Sequence, residues 1–206
     1  MIEEINKYIE ENRIRKLQLG CGAFPIDGWL NTDLSMKLCK NGIEYLDAGK
    51  PFPIISNSFD YIYSEHLIEH LKYSEAKNMV NESYRVLKDG GVLRLSTPDL
   101  KFLLDLYLNP ENELNRSYME NESNRYNIPP FPAFIISHFH IDWGHKIIYD
   151  EESLTYILKC AGFKNIKKCE VGKSEYEHLN DIEQHGKHFK NKEYNNLQSM
   201  VLEAQK

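Results

Sequence analysis

A short apolar run near the start of the chain ends in two glycines, and an aspartate lies a few residues further on. The run reads LQLGCG, with Gly20, Cys21 and Gly22 at its end, and Asp33 follows eleven residues after Gly22. Glycines at the carboxyl end of a strand let backbone N–H groups approach a ligand, because they carry no Cβ. A carboxylate that ends the next strand can accept hydrogen bonds from ribose hydroxyls. The spacing indicates a nucleotide-type cofactor site, with an ordinary tight turn as the alternative.

The eight histidines of the chain fall into three clusters. The first lies in SEHLIEH, where His66, Glu69 and His70 have the H-x-x-E-H spacing. One class of metalloproteases uses this spacing, because two histidines four residues apart on a helix face can hold zinc. A zinc hydrolase built on His66 and His70 is therefore one alternative function.

The other two histidine clusters lie in the second half of the chain. The segment HFHIDWGH, residues 138–145, offers three imidazoles and a carboxylate within reach of one metal ion. The third cluster consists of His178, His185 and His188, in a polar stretch before the last apolar run. A solvated surface is the simpler interpretation of this cluster, and a second pocket wall that includes His185 is the alternative.

Length and composition are those of one globular domain. The chain has 206 residues, of which 41% are hydrophobic and 27% charged. Its net charge of −6 disfavours a sequence-independent grip on nucleic acid phosphates. The polar first residues and the lack of a long apolar run predict a cytoplasmic protein without a membrane span. We also expect a monomer or a homodimer. Four cysteines without a CxxC pair predict free thiols.

From residue 15 onwards, apolar runs alternate with helical stretches, which is typical of a mainly parallel sheet covered by helices. Predicted strands span residues 15–20, 29–33, 43–47, 59–64, 91–97, 164–171 and 197–204. Predicted helices open the chain and span residues 74–88, 101–108 and 150–160. Residues 99–145 change character, with an Asn- and Glu-rich stretch followed by IPPFP, so we predict a lid-like insertion there.

Five segments of the chain occur in an order that is more specific than any one of them. They are Asp47-Ala48, PFP at 51–53, NSFDYIYS at 57–64, YRVLKDGGVL at 84–93, and Gly162-Phe163 after YDEESL at 149–154. This series resembles the class I S-adenosylmethionine-dependent methyltransferases. The resemblance implies a single α/β domain with a Rossmann-like, seven-stranded, mostly parallel sheet whose last strand is antiparallel. It also implies that S-adenosylmethionine lies over the carboxyl ends of the first strands.

The resemblance also implies roles for residues at matching positions. Eight residues are expected to bind the cofactor. Gly20, Cys21 and Gly22 would contact its methionine part and Asp33 its ribose, while Asp47 and Ala48 would contact the adenine and Ser64 and Glu65 the methyl group. His145 stands before Tyr149, where many class I enzymes carry a histidine at the mouth of the site. It is the first candidate to orient an acceptor or remove its proton, with His66 and Glu69 next. The alternative for His145 is packing in a loop under the lid.

Two features depart from the family pattern. Gln18 stands where the family usually has an acidic residue, and Phe24 stands where it usually has a third glycine. Only ten residues, including Pro25 and Gly28, separate Gly22 from Asp33, whereas a parallel crossover usually needs a dozen or more. We therefore predict that the first crossover helix is short or absent.

The function predicted from the resemblance is in-line methyl transfer from S-adenosylmethionine to a small-molecule or sugar-containing acceptor, at oxygen or nitrogen. The acidic charge and the aromatic, histidine-rich insertion favour such an acceptor over nucleic acid. One alternative is a non-catalytic relative that binds the cofactor or protein partners. The zinc hydrolase is disfavoured, because SEHLIEH follows a predicted strand where the family has a loop and a helix start, and the predicted scheme needs no metal.

Overall fold

A computed structural model describes residues 2–39, 42–187 and 192–206. Its strands are β1 (Lys16–Leu19), β2 (Leu30–Asp33), β3 (Ile43–Tyr45), β4 (Phe59–Glu65), β5 (Leu87–Pro98), β6 (Lys164–Cys169) and β7 (Ser199–Gln205). Its α-helices are α1 (Ile2–Glu11), α2 (Tyr73–Val86), α3 (Leu100–Leu108), α4 (Glu113–Tyr126), α5 (Pro132–Ser137), α6 (Glu151–Ala161) and α7 (Lys192–Gln198).

The strands form one seven-stranded sheet in the order β3-β2-β1-β4-β5-β7-β6. The strands β1 to β5 pair in parallel, whereas β7 is antiparallel to both of its neighbours. The predicted fold class is therefore confirmed. Because the chain leaves β1 for β2 and returns to β4 on the other side of β1, the carboxyl ends of β1 and β4 flank the point where the strand order reverses.

The first crossover contains no helix. Residues 20–29, all of them described, join the parallel strands β1 and β2. The loop bends at Gly20 and Gly22, whose φ angles are +65° and +55°. A Cβ on Gly20 would lie 2.8 Å from Leu67 Cδ2, so this position also requires the small residue for packing. The prediction of a missing crossover helix is confirmed, and its cause is the short, glycine-bent connection.

The two faces of the sheet are covered differently. Helices α1, α2 and α6 pack on one face, where residues such as Ile9, Met79 and Leu158 join the main hydrophobic core. On the other face, Leu179 and Ile182 pack against Trp29, Tyr63 and Val92. We call residues 170–186, which bring these two side chains onto the sheet, the covering segment. One face of the sheet is therefore covered by a largely irregular segment instead of helices.

The segment between β5 and α6 packs into a second hydrophobic cluster, which it shares with Tyr194 of α7. Helices α3, α4 and α5 and a π-helical turn at His138–Asp142 occupy most of residues 99–145. Phe102 and Tyr118 pack edge to face, with ring centroids 4.9 Å apart, and Phe139 belongs to the same cluster. This second cluster gives the predicted insertion an ordered helical structure at the carboxyl-end side of β5.

Candidate functional site

A cavity of about 180 Å³ opens at the carboxyl ends of β1 and β4. Its walls come from the glycine loop after β1, from the exit of β4 and from the covering segment: Gln18, Gly20, Cys21, Gly22, Phe24, Glu65, His66 and His185. Parallel strands end at the same edge of a sheet, and this brings together residues that are far apart in the sequence. Of the predicted cofactor-binding residues, Gly20, Cys21, Gly22 and Glu65 border this cavity.

Asp33 fastens the glycine loop to the end of β2. Its Oδ2 accepts a hydrogen bond from the Gly22 N–H at 2.9 Å, and its Oδ1 accepts one from the Ser35 N–H at 2.7 Å. The backbone N–H of Cys21 donates to the Thr32 carbonyl at 2.9 Å. The carboxylate therefore lies directly beside the loop that forms the cavity floor, although it is not among the cavity-lining residues.

Asp47 and Ala48 follow β3, further along the same edge of the sheet. Asp47 Oδ1 accepts a hydrogen bond from the Gly49 N–H at 3.0 Å, and Oδ2 lies 3.3 Å from Lys50 Nζ. Ala48 belongs to the main core. In this structure Asp47 stabilises a turn, and the pair lies outside the lining of the cavity.

The thiol of Cys21 is buried in the cavity wall. Burial, together with the nearby Asp33 carboxylate, raises the pKa of this thiol to about 12. The thiol is therefore protonated at neutral pH, which excludes a thiolate nucleophile at this position.

Ser64 and Glu65 end β4 and point to opposite faces of the sheet, since successive strand residues alternate. Glu65 accepts hydrogen bonds from the backbone N–H groups of Gln184 and His185, at 2.8 and 2.9 Å. Burial raises the pKa of the Glu65 carboxyl, against the opposing effect of these two backbone donors. Ser64 is buried, and its Oγ has no hydrogen-bond partner among the described residues. Glu65 thus attaches the covering segment to the cavity wall.

His66 and Glu69 form a hydrogen-bonded pair behind the cavity. His66 Nδ1 lies 3.1 Å from Glu69 Oε1, and Glu69 Oε2 accepts a hydrogen bond from Thr97 Oγ1 at 3.1 Å. The His66 ring packs against the His185 ring, with centroids 3.9 Å apart. Burial lowers the pKa of His66 to about 3 and raises the pKa of the fully buried Glu69. His66 is therefore a neutral imidazole at pH 7.

His66 and His70 do not form the helical pair of a metalloprotease. His66 has a φ of +48° and precedes the 3-10 turn Ile68–His70 that contains His70. The two histidines therefore do not lie on one helix face, contrary to what the H-x-x-E-H spacing requires.

His145 is buried beneath the insertion. Its ring centroid lies 4.8 Å from that of His70 and 5.8 Å from that of Trp143. Burial lowers the pKa of His145 to about 4, while the nearby Glu69 acts in the opposite direction. The structure brings His145 to Glu69 and His70, whereas the histidines that border the cavity are His66 and His185.

Arg94 is an important residue that the sequence-based interpretation does not include. It is fully buried, and its guanidinium donates to Glu183 Oε1 and Glu203 Oε1, each at 2.7 Å. It also donates to the Lys173 carbonyl at 3.0 Å. These bonds hold the covering segment, and with it His185, against the sheet. The only signal in the sequence is a lone arginine in an apolar strand.

His185 does form part of a pocket wall, as the alternative interpretation of the third histidine cluster predicts. His188, from the same cluster, lies outside the described residues.

Comparison with known proteins adds a family and a fold. Residues 26–95 match a family described as a methyltransferase domain. A structure of an S-adenosylmethionine-dependent methyltransferase from Archaeoglobus fulgidus is 16% identical, with a TM-score of 0.55, covering 100% of this chain and 92% of that one. One from Mesorhizobium loti is 16% identical, with a TM-score of 0.54 and coverages of 94% and 91%. A possible histamine N-methyltransferase from Thermotoga maritima is 18% identical, with a TM-score of 0.53 and coverages of 100% and 87%. No curated protein matches the chain.

The sheet order and these structural similarities define a Rossmann-like protein with the class I methyltransferase fold. The methyltransferase-domain match lies on the part of this fold that carries β2 to β5. The fold is that of S-adenosylmethionine-dependent methyltransferases, and residues 26–95 match the methyltransferase domain. Within the described residues, no helix is both long and apolar enough to cross a membrane.

Proposed function

We propose that this enzyme methylates a small-molecule or sugar-containing acceptor at oxygen or nitrogen. The observation that supports this most is the small, histidine-bordered cavity at the switch point of the sheet. The covering segment closes one side of the cavity through the bonds from Gln184 and His185 to Glu65. A small site bordered by His66 and His185, which a compact polar acceptor would approach beside a cofactor bound in the same cavity, suits such an acceptor better than an extended polymer.

The cavity suits the methionine part of the cofactor. Gln18 lines it, and the buried Oε1 of this residue has no hydrogen-bond partner among the described residues. This amide oxygen, which stands where the family usually has an acid, can accept a hydrogen bond from an ammonium group. The volume of about 180 Å³ is below the roughly 300–1,000 Å³ of whole-ligand sites, so the cavity holds one part of the cofactor.

The other cofactor contacts follow the carboxyl edge of the sheet. We assign Gly20, Cys21 and Gly22 to the methionine part and Asp33 to the ribose. Asp47 and Ala48 are assigned to the adenine, and Ser64 and Glu65 lie beside the methyl group in this assignment. Asp33 supports this arrangement, because its carboxylate already lies beside the glycine loop. Two ribose hydroxyls placed beside this carboxylate would donate hydrogen bonds to a charged acceptor.

When bound, S-adenosylmethionine supplies a methyl group on a sulfonium, which an acceptor takes by in-line displacement. The task of the chain is to hold the acceptor in line, and positioning of this kind contributes about 7–11 kcal/mol to a reaction barrier. His145, His66 and Glu69 are the proposed acceptor-side residues. The lowered pKa values of both histidines favour neutral rings that accept a hydrogen bond from the acceptor and orient it.

We further propose that residues 99–145 act as a lid on a single domain, and that the protein is cytoplasmic and monomeric or homodimeric. The helical cluster of Phe102, Tyr118 and Phe139 supports the lid assignment, because it packs this segment together, with Tyr194 of α7, at the carboxyl-end side of the sheet.

The test combines cofactor binding with a panel of acceptors. Calorimetry should show S-adenosylmethionine binding, and release of S-adenosylhomocysteine should require a small amine, alcohol or sugar compound. His145→Ala should lower turnover while cofactor affinity stays nearly unchanged, and an equal loss of both would show a structural residue instead. Cofactor binding with no acceptor-dependent product would favour the non-catalytic alternative. Product formation only with protein or nucleic acid would refute the proposed acceptor class.

A further inference from the structure

Three potential metal ligands converge behind the cavity. The ligand atoms of Glu69, His70 and His145 all lie within 4.8 Å of one another. Glu69 and His70 come from the 3-10 turn after β4, and His145 comes from the end of the insertion. The backbone brings them together, because the N–H groups of Lys146 and Ile147 both donate to the Glu69 carbonyl, at 2.8 and 3.2 Å.

This cluster combines a buried carboxylate with a buried ring nitrogen that lacks a partner. Glu69 is fully buried, and its carboxylate oxygens contact Thr97 Oγ1 and the neutral imidazole of His66 rather than a lysine or arginine. His145 is 5% exposed, and its Nδ1 is buried without a hydrogen-bond partner among the described residues. Buried carboxylates are usually paired or coordinate metals, and an unpartnered buried ring nitrogen is costly. A cation between these groups would satisfy both.

We propose that Glu69, His70 and His145 bind a divalent transition-metal ion of the zinc type. Two imidazoles and one carboxylate are the ligand set of three-ligand zinc sites, which leave a fourth position for water or a small ligand. Bonds of about 2.0–2.1 Å at tetrahedral angles separate ligand atoms by about 3.3 Å. The ligand atoms now lie up to 4.8 Å apart, so the distances between them must shorten by up to about 1.5 Å when an ion binds.

The surroundings of the cluster support its ligands. Thr97 Oγ1 and His66 Nδ1 contact the two carboxylate oxygens of Glu69, each at 3.1 Å, and such outer contacts orient metal-binding carboxylates. His70 is half-buried, which gives an ion a path from solvent. Imidazoles favour zinc, cobalt and nickel over magnesium and calcium.

This inference goes beyond the proposed methyl transfer, and with an ion bound Glu69 and His145 would orient the acceptor through the open position of the ion rather than by direct hydrogen bonds. The metal site and the cofactor cavity are nevertheless adjacent, because His66 borders the cavity and contacts Glu69. A bound ion would fix the orientation of Glu69 and thereby of the histidine at the cavity.

The test is metal binding by the full chain after treatment with a chelator. Titration with Co²⁺ should give visible d–d absorption that saturates at about one ion per chain, and Zn²⁺, but not Mg²⁺, should displace the cobalt. Glu69→Gln, His70→Asn and His145→Asn should each weaken Co²⁺ binding at least about tenfold. A folded wild-type chain without saturable Co²⁺ absorption would overturn the proposal.

Two control variants make the test specific. His178→Asn changes a histidine that packs against Tyr61, outside the cluster, and it should keep the wild-type Co²⁺ affinity. An equal loss in His178→Asn and His70→Asn would refute the site. Asp33→Ala should lose cofactor affinity but keep Co²⁺ binding, which separates failure of the metal site from failure of the cofactor site. If circular dichroism shows that the Glu69 or His145 variants do not fold, the half-buried His70 decides the outcome.

Discussion

Replacing Arg94 by methionine removes the positive charge that holds two buried carboxylates. Arg94 is fully buried, and the side chains of Glu183 and Glu203 are 4% and 1% exposed. Glu183 keeps one other donor, the Gly172 N–H at 2.9 Å, whereas Glu203 Oε2 has no partner among the described residues. The variant therefore leaves Glu183 with the Gly172 N–H alone and Glu203 without its arginine.

The expected loss of unfolding free energy is large. Removing one partner of a buried ion pair costs about 3–5 kcal/mol, and two stranded carboxylates place this variant near the upper value. At about 2–4 °C per kcal/mol for a chain of this size, the midpoint of thermal unfolding should fall by roughly 10–20 °C. Urea denaturation at pH 7 gives the free energy, and calorimetry gives the midpoint.

The pH dependence identifies the cause of the loss. Because the loss comes from uncompensated negative charge, the difference from wild type should shrink as the pH falls. Lys167→Met is the matched control, because its pair with Glu175 is exposed and should contribute at most about 1 kcal/mol. Combining Arg94→Met with Glu203→Leu should recover part of the loss. A loss below about 1 kcal/mol, or one that does not change with pH, would refute the role of charge.

Three further predictions concern the cavity. Asp33→Ala should weaken S-adenosylmethionine binding by about 1–3 kcal/mol in calorimetry, since it removes charged hydrogen bonds, and unchanged affinity would contradict the assignment. At pH 8, iodoacetamide should modify the exposed Cys160 in the folded chain and leave Cys21 unmodified, because the pKa of the Cys21 thiol is about 12. Equal labelling of the two cysteines in peptide mass spectra would refute this prediction. Gly20→Ala should destabilise the chain by about 1–3 kcal/mol, because its φ is positive and its Cβ would contact Leu67; Leu67→Ala should relieve only the steric part, and additive losses in urea denaturation would contradict the contact.

Local patterns determine most of the elements. Hydrophobic periodicity predicts a helix over residues 74–88, and α2 spans Tyr73–Val86, because the Glu75 carboxylate accepts from the Lys72 N–H at 2.7 Å and starts the helix before Ser74. The succession of strands and helices along the chain follows from the same patterns. The absence of the first crossover helix follows from the short length of the connection between β1 and β2.

The sequence by itself determined the fold class, the resemblance to methyltransferases and the position of the glycine loop with its aspartate, because these depend on residues close together in the chain. Only the tertiary structure decided how the buried charges pair and which histidines border the cavity. Arg94 meets Glu183 and Glu203 across 89 and 109 residues. His145 reaches Glu69 and His70 only because the insertion folds back onto the turn after β4. Periodicity reports which face of an element is apolar, whereas pairing between distant polar groups depends on how the packed elements are placed in space.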